Sequence, residues 1–229
     1  MTEHIVKSYD DELQGLAGSI AEMGGMAEDL VEQSVRALLR SDTELAQSVI
    51  TADRDVNAME HNIEERAVLI IARRQPMAQD LREIIAAIRI SNDLERIADL
   101  AKNIARRTLA TKSDKFAQKL LVGVEHLAQL GLRQLNSVLN SYASRDVEMA
   151  RNVWEGDDEI DAVYTSIFRE LLTYMMEDPR NIGMCTHLLF CAKNIERIGD
   201  HATNIAETVH YLVTGNPLED FRSKPEAEN

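Results

Sequence analysis

The chain has 229 residues, of which 45% are hydrophobic and 28% charged, and its formal net charge is −14. This balance provides enough apolar side chains for a folded core and excludes an intrinsically disordered chain. The excess of acidic residues disfavours nucleic acid as a partner, because a phosphate backbone is bound by clustered Lys and Arg.

Composition and helix signals predict an all-α protein. Gly and Pro are scarce, with 10 and 4 copies, whereas Leu, Ala, Glu, Met and Arg, which favour helices, dominate. Ser41 with Glu44 matches a capping box, and Asp178 before Pro179 marks another helix start. In chain order, the six predicted helices cover about 5–40, 42–74, 77–110, 114–143, 146–177 and 179–214.

Long helices joined by short connections are antiparallel neighbours. The predicted fold is therefore all-α, with two tandem, internally duplicated three-helix bundles built from six long antiparallel helices. We expect the first bundle to cover residues 1–111 and the second 112–214, with the joint between them at about 111–116. Residues 215–229 are predicted to be a flexible tail, because they are polar and contain two prolines.

An internal repeat supports the duplication. The stretches NDLERIADLAKNIAR (92–106) and KNIERIGDHATNIAE (193–207) are identical at eight of fifteen positions. Both keep two acids and an amide at four-residue intervals: Glu95, Asp99 and Asn103, then Glu196, Asp200 and Asn204. Their apolar positions form a stripe on the opposite side of each helix. Like charges four residues apart cost about 0.2–0.5 kcal/mol, so we expect something to offset the repulsion.

The antiparallel hairpins bring a second set of polar side chains level with these acids. Turns at Pro76 and between Asp178 and Pro179 define the two hairpins. Four pairs are expected to meet across them: Asp53 with Asp99, Asn57 with Glu95, Asp157 with Asp200, and Asp161 with Glu196. Crowded carboxylates raise one another's pKa, and a cation is the simplest remedy.

The sequence therefore predicts one metal site in each half, with these eight residues as ligands. Oxygen ligands without converging His or Cys favour a hard ion such as Mg²⁺, Mn²⁺ or Fe³⁺ over a tetrahedral structural zinc. Asn103 and Asn204 are candidate additional ligands, and Glu60 and Glu64 extend the polar row of the first half only. A solvated acidic face, without any ion, is the alternative interpretation.

Arg73 and Arg74 lie at the tip of the first hairpin. Their plainer role is to interact with the negative end of the helix dipole. The alternative is a contact with an anion or with a partner protein.

Several features predict a cytoplasmic protein. Cys185 and Cys191 are six residues apart on one helix, too far for a disulfide, so reduced thiols are expected. The first twelve residues lack the apolar core of a signal peptide. The longest apolar run, AVLIIA (67–72), is much shorter than the roughly 20 residues that span a membrane.

Five stretches carry a resemblance to a known family: MGGMAEDLVEQSVRALL (23–39), RRQPMAQDLR (73–82), NDLERIADLAKNIARR (92–107), TYMMEDPRNI (173–182) and NIERIGDHATNI (194–205). They resemble the PhoU family, accessory regulators of bacterial phosphate-specific transport. The resemblance implies two similar three-helix bundles, often dimeric, with Glu/Asp-x-x-x-Asp motifs that bind iron or zinc. The matching pairs are Glu95 with Asp99, Glu196 with Asp200, and Asp157 with Asp161. After Asp53 the motif has Asn57, so an amide replaces one carboxylate.

The resemblance also implies a function. The protein would restrain phosphate uptake and keep phosphate-starvation genes off when phosphate is plentiful. It would do so by contacting the transporter's ATPase subunit and the phosphate-sensing histidine kinase, docked at the inner face of the membrane. Two alternatives stay open: a carboxylate-bridged metal enzyme, which would need an open coordination position and a substrate pocket, and a metal-free helical adaptor. We expect a non-enzymatic homodimer.

Overall fold

The structure is a computed structural model that describes residues 2–111 and 118–218. These residues form helices and no strands, so the all-α prediction is confirmed. The helices are α1 (Thr2–Arg40), α2 (Thr43–Arg74), α3 (Gln79–Ala110), α4 (Gln118–Ser144), α5 (Val147–Glu155), α6 (Asp157–Glu177) and α7 (Ile182–Thr214), with a 3₁₀ turn at Pro179–Asn181 before α7. Residues 112–117, in the predicted joint, and 219–229 of the predicted tail lie outside the described residues.

The six predicted helices are present, but the fifth is divided in two at Gly156. The Gly156 amide still donates to the Asn152 carbonyl at 3.0 Å, whereas its own carbonyl accepts from Glu159, three residues on, at 3.3 Å. This tighter turn ends α5 and starts α6. As a result, Asp157 and two further acids occupy the first turn of α6, where the positive end of the helix dipole favours negative charge.

The capping residues differ in one place from the prediction. The cap of α2 is Asp42, one residue after the predicted Ser41, and its carboxylate accepts from two backbone N–H groups at 2.9 and 3.1 Å. Ser41 instead adopts a left-handed conformation, with φ of 53°. Asp146 caps α5 after left-handed Arg145, and its carboxylate accepts from the backbone N–H of Met149 at 3.0 Å. The predicted cap Asp178 is confirmed.

The packing gives two bundles, α1 to α3 and α4 to α7. The predicted apolar stripes face their cores, and all nine residues are buried: Leu94, Ile97, Ala101 and Ile104 in α3, and Ile195, Ile198, Ala202, Ile205 and Val209 in α7. Removing such side chains from water stabilises the fold by about 1.5–3 kcal/mol for each large residue. The exact domain boundaries, 1–111 and 112–214, stay a prediction.

The two halves are joined along α3 and α7, which pack against each other. Side-chain contacts between these helices include Asp93 with His201, Arg107 with Phe190, and Arg89 with Tyr211. The residue numbers fall in α7 as they rise in α3, so the two helices are antiparallel. Within the described ranges, no helix combines the length and the hydropathy of a membrane span.

Gly24 of α1 lies against Leu139 of α4, where a side chain would not fit without movement. A Cβ atom added at Gly24 would lie 2.5 Å from Leu139 Cδ2, whereas one added at Gly25 would meet nothing within 4 Å. We expect Gly24→Ala to destabilise the protein by about 1–3 kcal/mol, because the contact becomes overpacked. The control Gly25→Ala should stabilise it by about 0.5–1 kcal/mol, because Ala favours a helix. Urea unfolding of both variants measures the difference, and equal stabilities would contradict this role of Gly24.

Candidate metal centres

The first candidate centre lies between α2 and α3. Asp53 is only 3% exposed, because α3 covers the face of α2 that carries it. Lys102 Nζ donates to Asp53 Oδ2 at 2.7 Å and also to Asp99 Oδ1. The structure therefore places Asp53 opposite Asp99, as the antiparallel hairpin predicted. It also shows a lysine between them, which was not predicted.

Other acids surround this pair. Burial raises the pKa of Glu95, and the neighbouring charges of Asp99, Glu60 and Asp53 raise it further, while Arg96 opposes the change. The pKa of a carboxyl group rises when the group is buried and when nearby negative charges are not balanced by positive ones. The first cluster is thus an acidic site on two adjacent helices.

The second candidate centre lies between α6 and α7. The pKa of Asp157 is raised to about 6, first by burial and then by Asp161, Asp200 and Glu196. Glu196 is only 7% exposed; burial raises its pKa, while Lys193, which donates to Glu196 Oε1, opposes the rise. The other three predicted ligands of the second half, Asp161, Asp200 and Glu196, therefore lie near enough to Asp157 to disfavour its charged form.

The backbone helps to hold Asp157 in place. Asp157 begins α6 directly after Gly156. Across from it on α7, Gly199 has no side chain, and a Cβ atom there would lie 3.5 Å from Asp157 Oδ1 and 3.0 Å from Ile160 Cδ1. The second cluster is therefore packed closely against the α7 backbone.

Four buried oxygen atoms in the two clusters have no hydrogen-bond partner. They are Asp53 Oδ1 and Asn57 Oδ1 in the first cluster, and Asp157 Oδ1 and Glu196 Oε2 in the second. A buried polar atom without a partner costs about 1–3 kcal/mol. All four are acceptors, so a bound cation would satisfy them. The donor set of carboxylate and amide oxygens fits a hard ion.

The clusters are looser than a closed coordination shell. Among the described residues, the one group of three acids or histidines whose ligand atoms all lie within 4.8 Å of one another is Glu60, His61 and Glu64. No three carboxylates of the eight predicted ligands meet that distance. Repulsion between the carboxylates opposes their closer approach. Three of them also form ion pairs with lysines: Asp53 and Asp99 with Lys102, and Glu196 with Lys193.

The sequence pattern missed His61 as part of this group. His61 Nδ1 lies 2.9 Å from Glu60 Oε2, and its side chain is 79% exposed. Its position, next to Glu60 and three residues before Glu64, could have indicated it, because side chains three and four residues apart share a helix face. Exposed acidic groups are common without any bound ion, so this group is a weaker candidate than the two clusters, each of which contains a buried acid, Asp53 or Glu196.

The two candidate asparagine ligands have other partners. Asn103 Oδ1 accepts from Arg106 at 3.3 Å. Asn204 Nδ2 donates to Asp93 of α3 at 3.4 Å, so it reaches towards the first half of the chain. Their place among metal ligands stays a prediction.

The two arginines at the first hairpin tip differ. Arg74 donates to both carboxylate oxygens of Glu12 on α1, at 2.8 and 3.1 Å. This hydrogen bonding lowers the pKa of Glu12. Arg73 is exposed, which leaves it the better placed of the two for a contact with an anion or a partner.

Comparison with known proteins agrees with this architecture. A family model described as the PhoU domain matches residues 20–108 and 124–209, one match in each half. Among similar proteins, the phosphate-specific transport system accessory protein PhoU homolog of Rhizobium meliloti (strain 1021) is 58% identical over 221 residues, covering 96% of this chain and 93% of its own. The homolog of Caulobacter vibrioides (strain NA1000 / CB15N) is 48% identical over 224 residues, covering 98% and 97%.

Solved structures show the same fold. PhoU from Pseudomonas aeruginosa has a TM-score of 0.88 and 40% identity, covering 91% of this chain and 100% of its own. The phosphate transport system regulatory protein PhoU from Streptococcus pneumoniae has a TM-score of 0.85 and 27% identity, covering 92% and 99%. The repeat, the paired bundles and these matches lead to one conclusion: the chain belongs to the PhoU family.

Proposed function

We propose that this protein is an accessory regulator of the phosphate-specific transport system, which restrains phosphate uptake and keeps phosphate-starvation genes off when phosphate is plentiful. The support is that relatives covering nearly the whole chain, at up to 58% identity, are named as accessory proteins of that system. A solved relative is named as a regulatory protein of the phosphate transport system. These names describe accessory and regulatory roles, and we propose a non-enzymatic role for this chain.

The proposed partners are the ATPase subunit of the phosphate transporter and the phosphate-sensing histidine kinase. The protein would act as a cytoplasmic homodimer, docked at the inner face of the membrane through the transporter. Long helices suit an adaptor because they expose several separate faces, and the chain has large exposed apolar side chains at two hairpin tips, including Met77 and Met176.

We further propose that each bundle holds one or more metal ions through oxygen ligands, with Fe, Mn, Mg and Zn as candidates. The observation that carries this proposal is the set of four buried oxygens without partners, two in each cluster. In the first half Asp53, Asn57, Glu95 and Asp99 would hold the ion. In the second half the ligands would be Asp157, Asp161, Glu196 and Asp200. A bound ion would supply positive charge and would stabilise the packing of α2 against α3 and of α6 against α7.

Deleting the gene tests the regulatory role. Expression of phosphate-starvation genes should rise in phosphate-rich medium, and the intact gene supplied on a plasmid should restore repression. Repression that persists after deletion would contradict the proposal. Pull-down of the purified protein with the transporter ATPase and with the kinase tests the two partners separately.

Metal binding is tested independently by elemental analysis of protein purified without added ions, and by its melting temperature with Mn²⁺, Fe³⁺, Mg²⁺ or Zn²⁺. We expect bound metal or a rise in melting temperature, because a ligand that binds only the folded state stabilises it. A metal-free protein with an unchanged melting temperature would favour a metal-free helical adaptor.

A further inference from the structure

The two clusters have similar acids but differ in the positive charge that faces them. In the first cluster Lys102 reaches from α3 to α2 and donates to both Asp53 and Asp99. Its side chain is only 15% exposed. An ammonium group therefore lies between the two helices, at the place where a metal ion would be coordinated.

The second cluster has no lysine at the corresponding position. The residue 101 places after Lys102 in the repeat is Thr203. Its hydroxyl donates to the backbone carbonyl of Asp200 at 2.7 Å, so it brings no positive charge to Asp157 and Asp200.

The lysine that does approach the second cluster lies at its rim. Lys193 donates to Glu196, and its Nζ lies 5.3 Å from the centre of the Tyr164 ring. Its side chain is 45% exposed, three times the exposed fraction of Lys102. Glu196 Oε2 and Asp157 Oδ1 stay without hydrogen-bond partners.

The charges therefore differ. The first cluster combines the carboxylates of Asp53, Glu95 and Asp99 with the neutral amide of Asn57 and the ammonium of Lys102. The second combines four carboxylates with a lysine that pairs with one of them. A cation entering the first cluster must separate two charge-assisted hydrogen bonds, whereas a cation entering the second need not displace an ammonium group from Asp157 or Asp200.

We propose that Lys102 is a built-in counter-ion of the first cluster, which makes the two clusters unequal: the second binds a multivalent cation directly, and the first does so only when Lys102 leaves Asp53 and Asp99. This inference rests on the proposed metal binding. Breaking hydrogen bonds between charged groups is expected to weaken the first site by about 10- to 100-fold relative to the second.

Calorimetric titration of the full-length, chelator-stripped protein with Mn²⁺ tests the proposal. Wild type should show a tighter and a weaker phase, and Asp200→Asn should remove the tighter one. Lys102→Met keeps an unbranched apolar side chain but removes the charge, and it should tighten the weaker phase by at least about tenfold. Thr203→Lys should weaken the tighter phase by a similar factor, because it places a lysine at the repeat-related position. The control Lys119→Met removes an exposed lysine that pairs with Glu170, outside both clusters, and it should change the affinity of either phase by less than about threefold.

The outcomes separate the role of Lys102 from metal binding itself. Two sites of equal affinity, seen as a single phase that Lys102→Met leaves unchanged, would overturn the role of Lys102 and keep metal binding. No Mn²⁺ binding by either wild type or Lys102→Met would overturn both. If Lys102→Met does not fold, because Asp53 is left buried and unpaired, Thr203→Lys decides alone: an unchanged tighter phase overturns the proposal.

Discussion

Replacing Asp157 with Asn is expected to remove most of the rise in melting temperature that Mn²⁺ gives the protein at pH 7. Asp157 Oδ1 is buried without a hydrogen-bond partner, and its charge lies among those of three other predicted ligands. A ligand at 100 times its Kd stabilises the folded state by about 2.7 kcal/mol. In a chain of this size that corresponds to roughly 5–11 °C.

Scanning calorimetry with and without Mn²⁺ measures this effect. Glu159→Gln is the matched control, because Glu159 is an exposed acid in the same first turn of α6. It should keep the wild-type response. The same Mn²⁺-dependent rise in wild type and in Asp157→Asn would show that Asp157 is not a ligand.

The raised pKa of Asp157 predicts how the stability of the metal-free protein depends on pH. The pKa of Asp157 is raised to about 6 in the folded protein, whereas an unfolded chain releases this proton near pH ~3.9. Between these values only the folded state holds the proton. Its stabilising contribution is therefore complete below about pH 4 and is lost as the pH rises through 6. The shift corresponds to about 3 kcal/mol at most, and screening at this half-exposed group reduces it to about 1 kcal/mol.

Urea unfolding in the presence of a chelator, at pH 5 and pH 7, measures this contribution. Relative to Asp157→Asn, wild type should lose stability as the pH rises. If wild type instead gains stability relative to Asp157→Asn over this pH range, the folded protein stabilises the charged carboxylate, and the predicted direction of the pH dependence is wrong.

Leu94→Ala is expected to have the largest effect on stability. Leu94 is fully buried in the core of the first bundle, and it immediately precedes Glu95. Truncating a buried leucine costs about 2–5 kcal/mol, because apolar contacts are lost and a cavity remains. At this chain length the melting temperature should fall by roughly 4–20 °C.

Leu81→Ala is the control for this change, since it is the same substitution on the same helix at a residue that is 37% exposed. It should cost less than about 1 kcal/mol. Thermal unfolding of both variants gives the comparison. Similar losses would mean that the apolar stripe of α3 is not the main source of stability in this bundle.

Much of the fold was predictable because helices depend on local interactions. Residues three and four apart share a helix face, so the stripe that includes Leu94 and Ile97 could be identified from its spacing. The hairpin turns are also local features. Once the position of a turn is known, it fixes which residues of the two antiparallel helices lie side by side. For that reason the spacing of the residues correctly predicted that Asp53 lies opposite Asp99.

Local signals failed where two conformations are close in energy. A helix from 146 to 177 and one divided at Gly156 have nearly the same pattern of apolar residues, so the division was not predicted. Ser41 and Asp42 are both good capping residues, and neighbouring caps differ by only a few tenths of a kcal/mol. The surrounding packing selects between such alternatives.

The composition, the repeat and the spacing of the acids determined that this chain forms two related helical bundles with paired acidic clusters. Only the tertiary structure decided the surroundings of those acids: that Asp53 and Glu196 are buried, that Lys102 crosses from α3 to Asp53, and that α7 packs antiparallel on α3. The reason is physical. Periodicity fixes which face a side chain is on, whereas its burial and its charge partner depend on where another helix, distant in the chain, comes to lie.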